Sequence, residues 1–352
     1  MARFIKTLKK TALAASIASL ATVANATIVT SIKPLGFIAS SIADGVTDTE
    51  VLVPAGASPH DYSLKPSDIQ KLQGAELILW VGEDIDAFLD KTLRPMPFKK
   101  VLSIADFAEI GGLLEGEEHD HKHEHDHKHD HAHKHDHTHK HDHAHKHDHA
   151  HKHDHAHKHD HAHKHDHDHK HDHAHEHDHD HSTNWHVWYS PEISKIVATR
   201  LATRLTEAYP EKKAKIAQNL AEFNRTLAEQ SEKIKQQLAP VKEKGFYVFH
   251  DAYSYFNNAY GLKQTGYFTI NPLVAPGAKT LAKIKQEIKE HKVNCLFAEP
   301  QFTPKVIESL SKGTGVYVGR LDPMGDAVKL GVNSYANFLQ YTADSYFACL
   351  SK

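Results

Sequence analysis

Long apolar runs are nearly absent from this chain. Past residue 26 no stretch approaches the roughly 20 apolar residues of a bilayer-spanning helix, so the body of the protein is expected to be soluble. Cysteine is also scarce, with only Cys295 and Cys349 present. Neither lies near the N-terminus, which excludes a lipid-anchored N-terminal cysteine. In an oxidising compartment two lone cysteines suit one structural disulfide, and two buried free thiols are the alternative. Residue type and spacing leave both open. An excess of basic charge is missing too: the formal net charge is -3. That mild acidity argues against a nucleic-acid partner.

What is present begins with an address. Arg3, Lys6, Lys9 and Lys10 form a basic start, residues 11–23 an Ala-rich apolar run, and Ala24-Asn25-Ala26 a small-x-small cleavage pattern. Residues 1–26 are therefore expected to be a secretory signal peptide, with the mature chain starting at Thr27. The run is too short and too weakly apolar for a membrane helix. Removing it takes away four positive charges and makes the chain more acidic still.

One segment dominates the rest. From His119 to His181 every odd-numbered position is histidine, which accounts for all but four of the chain's 36. The residues between are mostly Asp, Lys and Ala, in a loose HDHAHK repeat with no aromatic and no aliphatic side chain larger than Ala. Such a composition cannot bury enough surface to offset its ordering entropy, so a disordered insertion is expected rather than a domain. Imidazoles at i,i+2 spacing suit several metal ions of modest affinity, tethered near the rest of the protein. A tolerated repeat expansion is the plainer account. Because unperturbed histidine titrates near pH ~6.5, metal on the tract should be lost in mild acid.

The remaining roughly 260 residues suit two domains better than one. Ahead of the tract, 28–32, 50–53 and 77–81 read as strands, and 35–43 and 66–72 as helices. After residue 244, 246–249, 294–298 and 316–319 read as strands, with helices over 254–260, 281–291, 304–312 and 334–350. This rhythm implies an α/β fold of two lobes with mainly parallel sheets. Residues 211–238 lack Pro and Gly and place Ile216, Leu220, Phe223, Leu227, Ile234 and Leu238 near helical spacing. They predict one helix of about 40 Å, at about 1.5 Å per residue, acting as a strut between the lobes. A coiled-coil dimer helix is disfavoured because the heptad is not sustained. The expected boundaries are 1–26 for the signal peptide, 27–209 for the N-terminal lobe with 119–181 inserted, 210–240 for the linking helix and 241–352 for the C-terminal lobe.

Outside the tract stand His60, His186, His250 and His291. His291 closes a Lys- and Glu-rich helix, where a cation suits the helix dipole, and no function is read into it. His60 lies in the turn-rich loop GASPHDY after a strand, and His250 ends the strand FYVF. Both are near carboxyl ends of strands, the edge at which open α/β sheets bind ligands. His186 sits in the aromatic segment WHVWYSP that leads into a helix. Three imidazoles brought to one cleft would make a nitrogen-rich site for a borderline cation such as Zn2+. Linear spacing does not reveal whether they meet.

At these segments the chain resembles the ZnuA family, the zinc-binding components of bacterial high-affinity zinc ABC importers, within the metal-binding cluster of periplasmic solute-binding proteins. The resemblance is carried by GASPHDYSLKPSD, WHVWYSP, FHDAY, FAEPQF and LDPMG, in the family's order and spread over nearly all of the mature chain. A His-rich insertion between the first two ligand segments is also a zinc-type feature. The resemblance implies two α/β lobes joined by one long helix, with metal held in the cleft by His60, His186 and His250. It further implies a periplasmic protein, expected as a monomer, that hands zinc to a membrane ABC permease. In manganese- and iron-binding relatives the position of His250 is typically a carboxylate, so imidazole there favours zinc. Asp322 of LDPMG aligns with a carboxylate that completes the site in relatives; a turn Asp before Pro323 is its plainer role. One position departs from the pattern. Pro59 stands where some zinc members carry Glu, and proline has no donor atom, which leaves water or Asp322 for the fourth position. The resemblance also pairs Cys295 with Cys349.

The expected function is thus binding and delivery without catalysis. A zinc hydrolase would use three histidines and an open position for water. No HExxH motif occurs, however, and Asp61, Asp251 and Glu299 are base candidates only by proximity. A storage protein acting through the tract alone is the remaining class.

Overall fold

The computed structural model describes residues 27–116, 183–302 and 305–352. The expected signal peptide and histidine tract lie outside these residues. The first half forms β1 (Thr27–Thr30), α1 (Lys33–Ile42), β2 (Asp48–Val51), α2 (Pro66–Gly74), β3 (Leu77–Trp80), the short α3 (Glu83–Asp86) and α4 (Asp90–Leu93), and β4 (Val101–Ser103). Its sheet is parallel, in the order β2-β1-β3-β4. A small antiparallel ladder follows, β5 (Glu115–Gly116) against β6 (Thr183–Asn184). Two helices come next, α5 (Pro191–Ala208) and α6 (Lys213–Leu238). The second half forms β7 (Phe246–His250), α7 (Ser254–Tyr260), β8 (Gln264–Thr269), α8 (Ala278–Lys289), β9 (Cys295–Ala298), α9 (Lys305–Thr314), β10 (Tyr317–Arg320) and α10 (Ser334–Leu350). Its sheet, β8-β7-β9-β10, is also parallel.

Both sheets therefore repeat one topology. The chain enters at an inner strand, adds a neighbour on one side, then crosses to build the other side. The α/β architecture with parallel sheets and one long helix is the one expected. Besides the short β5 and β6, two strands of the main sheets were not expected. β4 is only three residues long, and β8 is interrupted by Gly266, where a Cβ would lie 2.6 Å from the Tyr247 ring. Neither offers the run of branched side chains by which a strand is recognised.

Parallel sheets covered on both faces need continuous apolar strands. Successive side chains alternate faces. Ile28, Leu77, Leu79, Phe246, Val248 and Phe297 enter one core shared with α1, α5, α6 and α10. Val29, Ile78 and Trp80 turn the other way, onto Leu72 and Leu93. Tyr247, Phe249 and Leu296 likewise turn onto Ile284, Ile288 and Ile307.

α6 is no strut through solvent. Ile216, Phe223, Leu227, Ile234 and Leu238 form a buried stripe packed against α5 and α10, with Leu220 partly buried beside it. Each such side chain contributes about 1.5–3 kcal/mol. Within the stripe, Asn219 donates through Nδ2 to the carbonyls of Ile42 (2.9 Å) and Asp44 (2.8 Å), anchoring the helix at the end of α1. Cys295 and Cys349 are bonded, with Cα atoms 6.2 Å apart, tying β9 to α10. Next to this bond a Cβ on Gly319 would lie 2.5 Å from the Phe297 ring and 3.0 Å from Cys349 Cβ, so only glycine lets α10 close on the sheet. No helix among the described residues is long and apolar enough to cross a membrane.

Candidate metal centre

Each of the three candidate histidines is presented by a braced segment. His60 lies between β2 and α2. Asp68 in the first turn of α2 accepts both the Lys65 N–H (2.9 Å) and the Tyr62 hydroxyl (2.8 Å), pinning this loop to the helix entry that Pro66 opens. Ser58 Oγ accepts the His60 N–H at 3.3 Å. Further back, Gly56 turns at φ 79° and donates its N–H to Asp326 Oδ2 at 2.7 Å.

His186 follows β6. Asn184 Oδ1 accepts from the His186 backbone N–H (3.1 Å) and ring Nδ1 (2.7 Å). The orientation of this amide is set by its other end, which donates to the Asp251 carbonyl (2.9 Å) and Ser254 Oγ (3.1 Å). Beyond a 3-10 turn, Ser190 Oγ caps α5 by accepting the Ile193 N–H, while Trp188 Nε1 donates to the Pro323 carbonyl. His250 is the last residue of β7. Its Nδ1 lies 2.7 and 2.8 Å from the two carboxylate oxygens of Glu299, the residue directly after β9. The Glu299 side chain is completely buried.

Among the described residues, His60, His186 and His250 form one group whose ligand atoms all lie within 4.8 Å of one another. With Nδ1 of His186 and of His250 set against acceptors, the two Nε2 atoms are the ends left to bind a metal, and they lie 3.2 Å apart. Burial, reinforced by the neighbouring His250, holds His60 down to about 3. His186 is pushed well below the ordinary imidazole range by burial and then by His250 and His60. Neutral imidazole is the form that binds metal, so protons do not compete for His60 and His186 near neutrality. The cavity they line leaves about 10 Å³ of free space, room for a single ion or water.

Asp322 stands outside this group. Its Oδ1 accepts the Met324 N–H (3.0 Å) and Gln301 Nε2 (2.8 Å), and its Oδ2 accepts the Asp326 N–H (2.7 Å). That is the bonding of a turn carboxylate. His291 is remote from the cleft in its role, turning at φ 57° after α8. The three base candidates for hydrolysis have other engagements or positions: Glu299 holds His250, Asp251 Oδ1 accepts Gln264 Nε2 at 3.1 Å, and Asp61 is exposed. Sequence reasoning did not assign the supporting roles of Asn184 and Glu299. Glu299 carried a signal, an acidic residue directly after an apolar strand; Asn184 carried none.

The family described as zinc-uptake complex component A, periplasmic (ZnuA), matches residues 28–349. The chain is 68% identical over 347 residues to the high-affinity zinc uptake system protein ZnuA of Haemophilus influenzae, covering 99% of each. To the protein of that name from Haemophilus ducreyi it is 53% identical over 345 residues, covering 98% of this chain and 99% of the relative. Among solved structures, a 138-173 ZnuA deletion mutant plus zinc bound aligns with a TM-score of 0.65 at 21% identity, over 93% of this chain and 98% of that one. The periplasmic zinc binding protein TroA from Treponema pallidum aligns with a TM-score of 0.64 at 16% identity, over 93% and 100%. These structural likenesses speak for the fold.

Proposed function

The chain belongs to the periplasmic zinc-uptake component A family, and from that premise we propose that it captures one zinc ion between His60, His186 and His250 and delivers it to the membrane permease of an ABC importer. The protein works in the periplasm as a monomeric carrier and catalyses no reaction. Its lobes are 27–209 and 241–352, joined by 210–240, and the ion is cargo held between them.

The observation that carries this reading is the pair of Nε2 atoms facing each other at 3.2 Å, each ring fixed from behind by Asn184 or Glu299. An acceptor behind a ligating histidine sets its tautomer, orients the ring and raises its basicity. Three imidazole nitrogens suit zinc better than hard, oxygen-preferring cations. A site made from several chain segments also ties metal occupancy to their relative position, which is what a carrier needs in order to release its cargo.

The test removes residues 119–181. β5 and β6 pair Gly116 with Thr183, so the described residues that flank the tract lie side by side. Residues 117, 118 and 182 then close a short hairpin loop. The shortened chain is expected to bind one zinc tightly by competitive titration. Absence of a tight site would sink the three-histidine reading and leave storage by the tract.

A further inference from the structure

Three histidines leave one position of a tetrahedral zinc to be filled. Pro59 has no donor atom, and both oxygens of Asp322 are already engaged in its own turn and with Gln301. Among the described residues that line the cavity, one buried side-chain atom has no partner. Gln301 Oε1 is buried and makes no hydrogen bond, and Gln301 lines the same cavity as His60, His186 and His250. The orientation of its amide follows from the far end. Nε2 donates to Asp322 Oδ1 at 2.8 Å and lies 3.5 Å from Asp326 Oδ2. An ionised carboxylate only accepts, so the nitrogen must face it and the oxygen is the end left over. The apolar walls Phe302, Pro323 and Met324 offer that oxygen nothing to accept. A buried acceptor without a donor is costly, and a water held on a metal ion in this cavity would supply the donor.

We propose that Gln301 Oε1 accepts a hydrogen bond from a water on the fourth zinc position, and that Asp322 acts through Gln301 by holding the amide in this orientation. This rests on the three-histidine reading above. Gln301 is then a positioning residue that also selects the fourth ligand. Its lone pairs favour a ligand with a proton to give and disfavour an anion such as azide, which would bring lone pairs against lone pairs. Asp326 joins the arrangement to the His60 loop, since the same Oδ2 that lies near Gln301 accepts the Gly56 N–H.

Gln301→Met keeps the length of the side chain and removes the acceptor. Two quantities are read: zinc affinity, by competitive titration of the full chain and of the chain lacking 119–181, and azide affinity, from the visible spectrum of the cobalt(II)-loaded shortened chain. Zinc binding is expected to weaken about 10- to 100-fold, the range for partners one shell out from a metal, while azide binding tightens. Asp322→Asn should move both readings the same way by less. Native values of both in Gln301→Met would overturn the proposal. So would weakened zinc binding with unchanged azide binding, which marks a role in loop packing alone. Loss of zinc in Asp322→Asn with Gln301→Met silent would make Asp322 the ligand and also overturn it. If metal-free Gln301→Met melts early, Gln301→Asn withdraws the oxygen by one methylene and must give the same two signs. Failure of the unsubstituted shortened chain to bind zinc would instead defeat the three-histidine reading, before residue 301 is touched.

Discussion

The two sheets share one strand order, yet their carboxyl edges are put to different uses. In the first, the crevice between β1 and β3 holds Asp86, fully buried, whose Oδ2 accepts the Ser31 hydroxyl (2.7 Å) and the Val81 N–H (2.9 Å). In the second, the crevice between β7 and β9 holds Glu299, also buried, against His250 Nδ1. Topology places a carboxylate at the same kind of position in both. The group opposite decides what it becomes. A hydroxyl and a backbone amide use Asp86 to close a strand end. An imidazole passes the influence of Glu299 on to a second nitrogen that is free to bind.

The largest expected effect tests the three-histidine site that the second edge completes with His250. His60→Ala, His186→Ala and His250→Ala should each weaken cleft zinc binding far more than Asp322→Ala, measured by competitive titration without residues 119–181. Each ring would supply a direct Zn–N bond of about 2.0–2.1 Å. Equal damage from Asp322→Ala would mean a His₃Asp site.

The second sheet is also the stapled one. Opening the Cys295–Cys349 bond, which spans 54 residues, should cost about 4 kcal/mol in the chain-entropy model. Urea unfolding of Cys349→Ser against the native chain measures this, and an unchanged midpoint would show that the packing of α10 alone supplies the hold.

A matched pair of amides sharpens the comparison further. Glu299→Gln should weaken zinc binding about 10- to 100-fold, because the partner of His250 loses its charge. Asp86→Asn should leave zinc affinity at the native value. If both variants lose zinc equally, the two edges are coupled and the contrast fails.

The smallest effect is in pH dependence, where two groups carried by connections of the first sheet, Asp86 and His60, have opposite signs. Burial pushes Asp86 up to about 7 from an ordinary value of 3.8. The folded state keeps a proton that the unfolded chain releases, so this group's contribution to stability falls as pH rises from about 4 to about 7. His60 is lowered from 6.5 to about 3. Its unfolded form takes up protons that the folded form refuses, so its contribution is complete above 6.5 and is lost as pH falls towards 3. Asp86→Asn removes only the first dependence. In metal-free protein, the stability of the variant relative to native should rise between pH 4 and pH 7, and a flat or falling difference would refute the assignment.

Much of the architecture could be read before any coordinates. Strands covered on both faces must be apolar throughout, so runs such as Leu77–Trp80 and Cys295–Ala298 announce themselves. The helices Ser254–Tyr260 and Ser334–Leu350 fall at the expected residues. β4 and β8 escaped because a three-residue strand and a glycine-broken one lack that pattern. His60, His186 and His250 stood out by residue type at strand ends and in an aromatic turn, and the disulfide followed from the resemblance to a family.

The sequence could supply candidates, because residue type and local periodicity record what each segment can donate and which face it buries. The meeting of those segments was a matter for the tertiary fold. Glu299 reaches His250 across 49 positions, and Gln301 meets Asp322 across 21. Asn184 acts on His186 from only two residues away, yet its amide is aimed by Asp251 and Ser254, 67 and 70 positions on. Hydrogen bonds act over about 3 Å of space, whatever the length of chain between their partners. Local spacing therefore holds no trace of which carboxylate stands behind which imidazole.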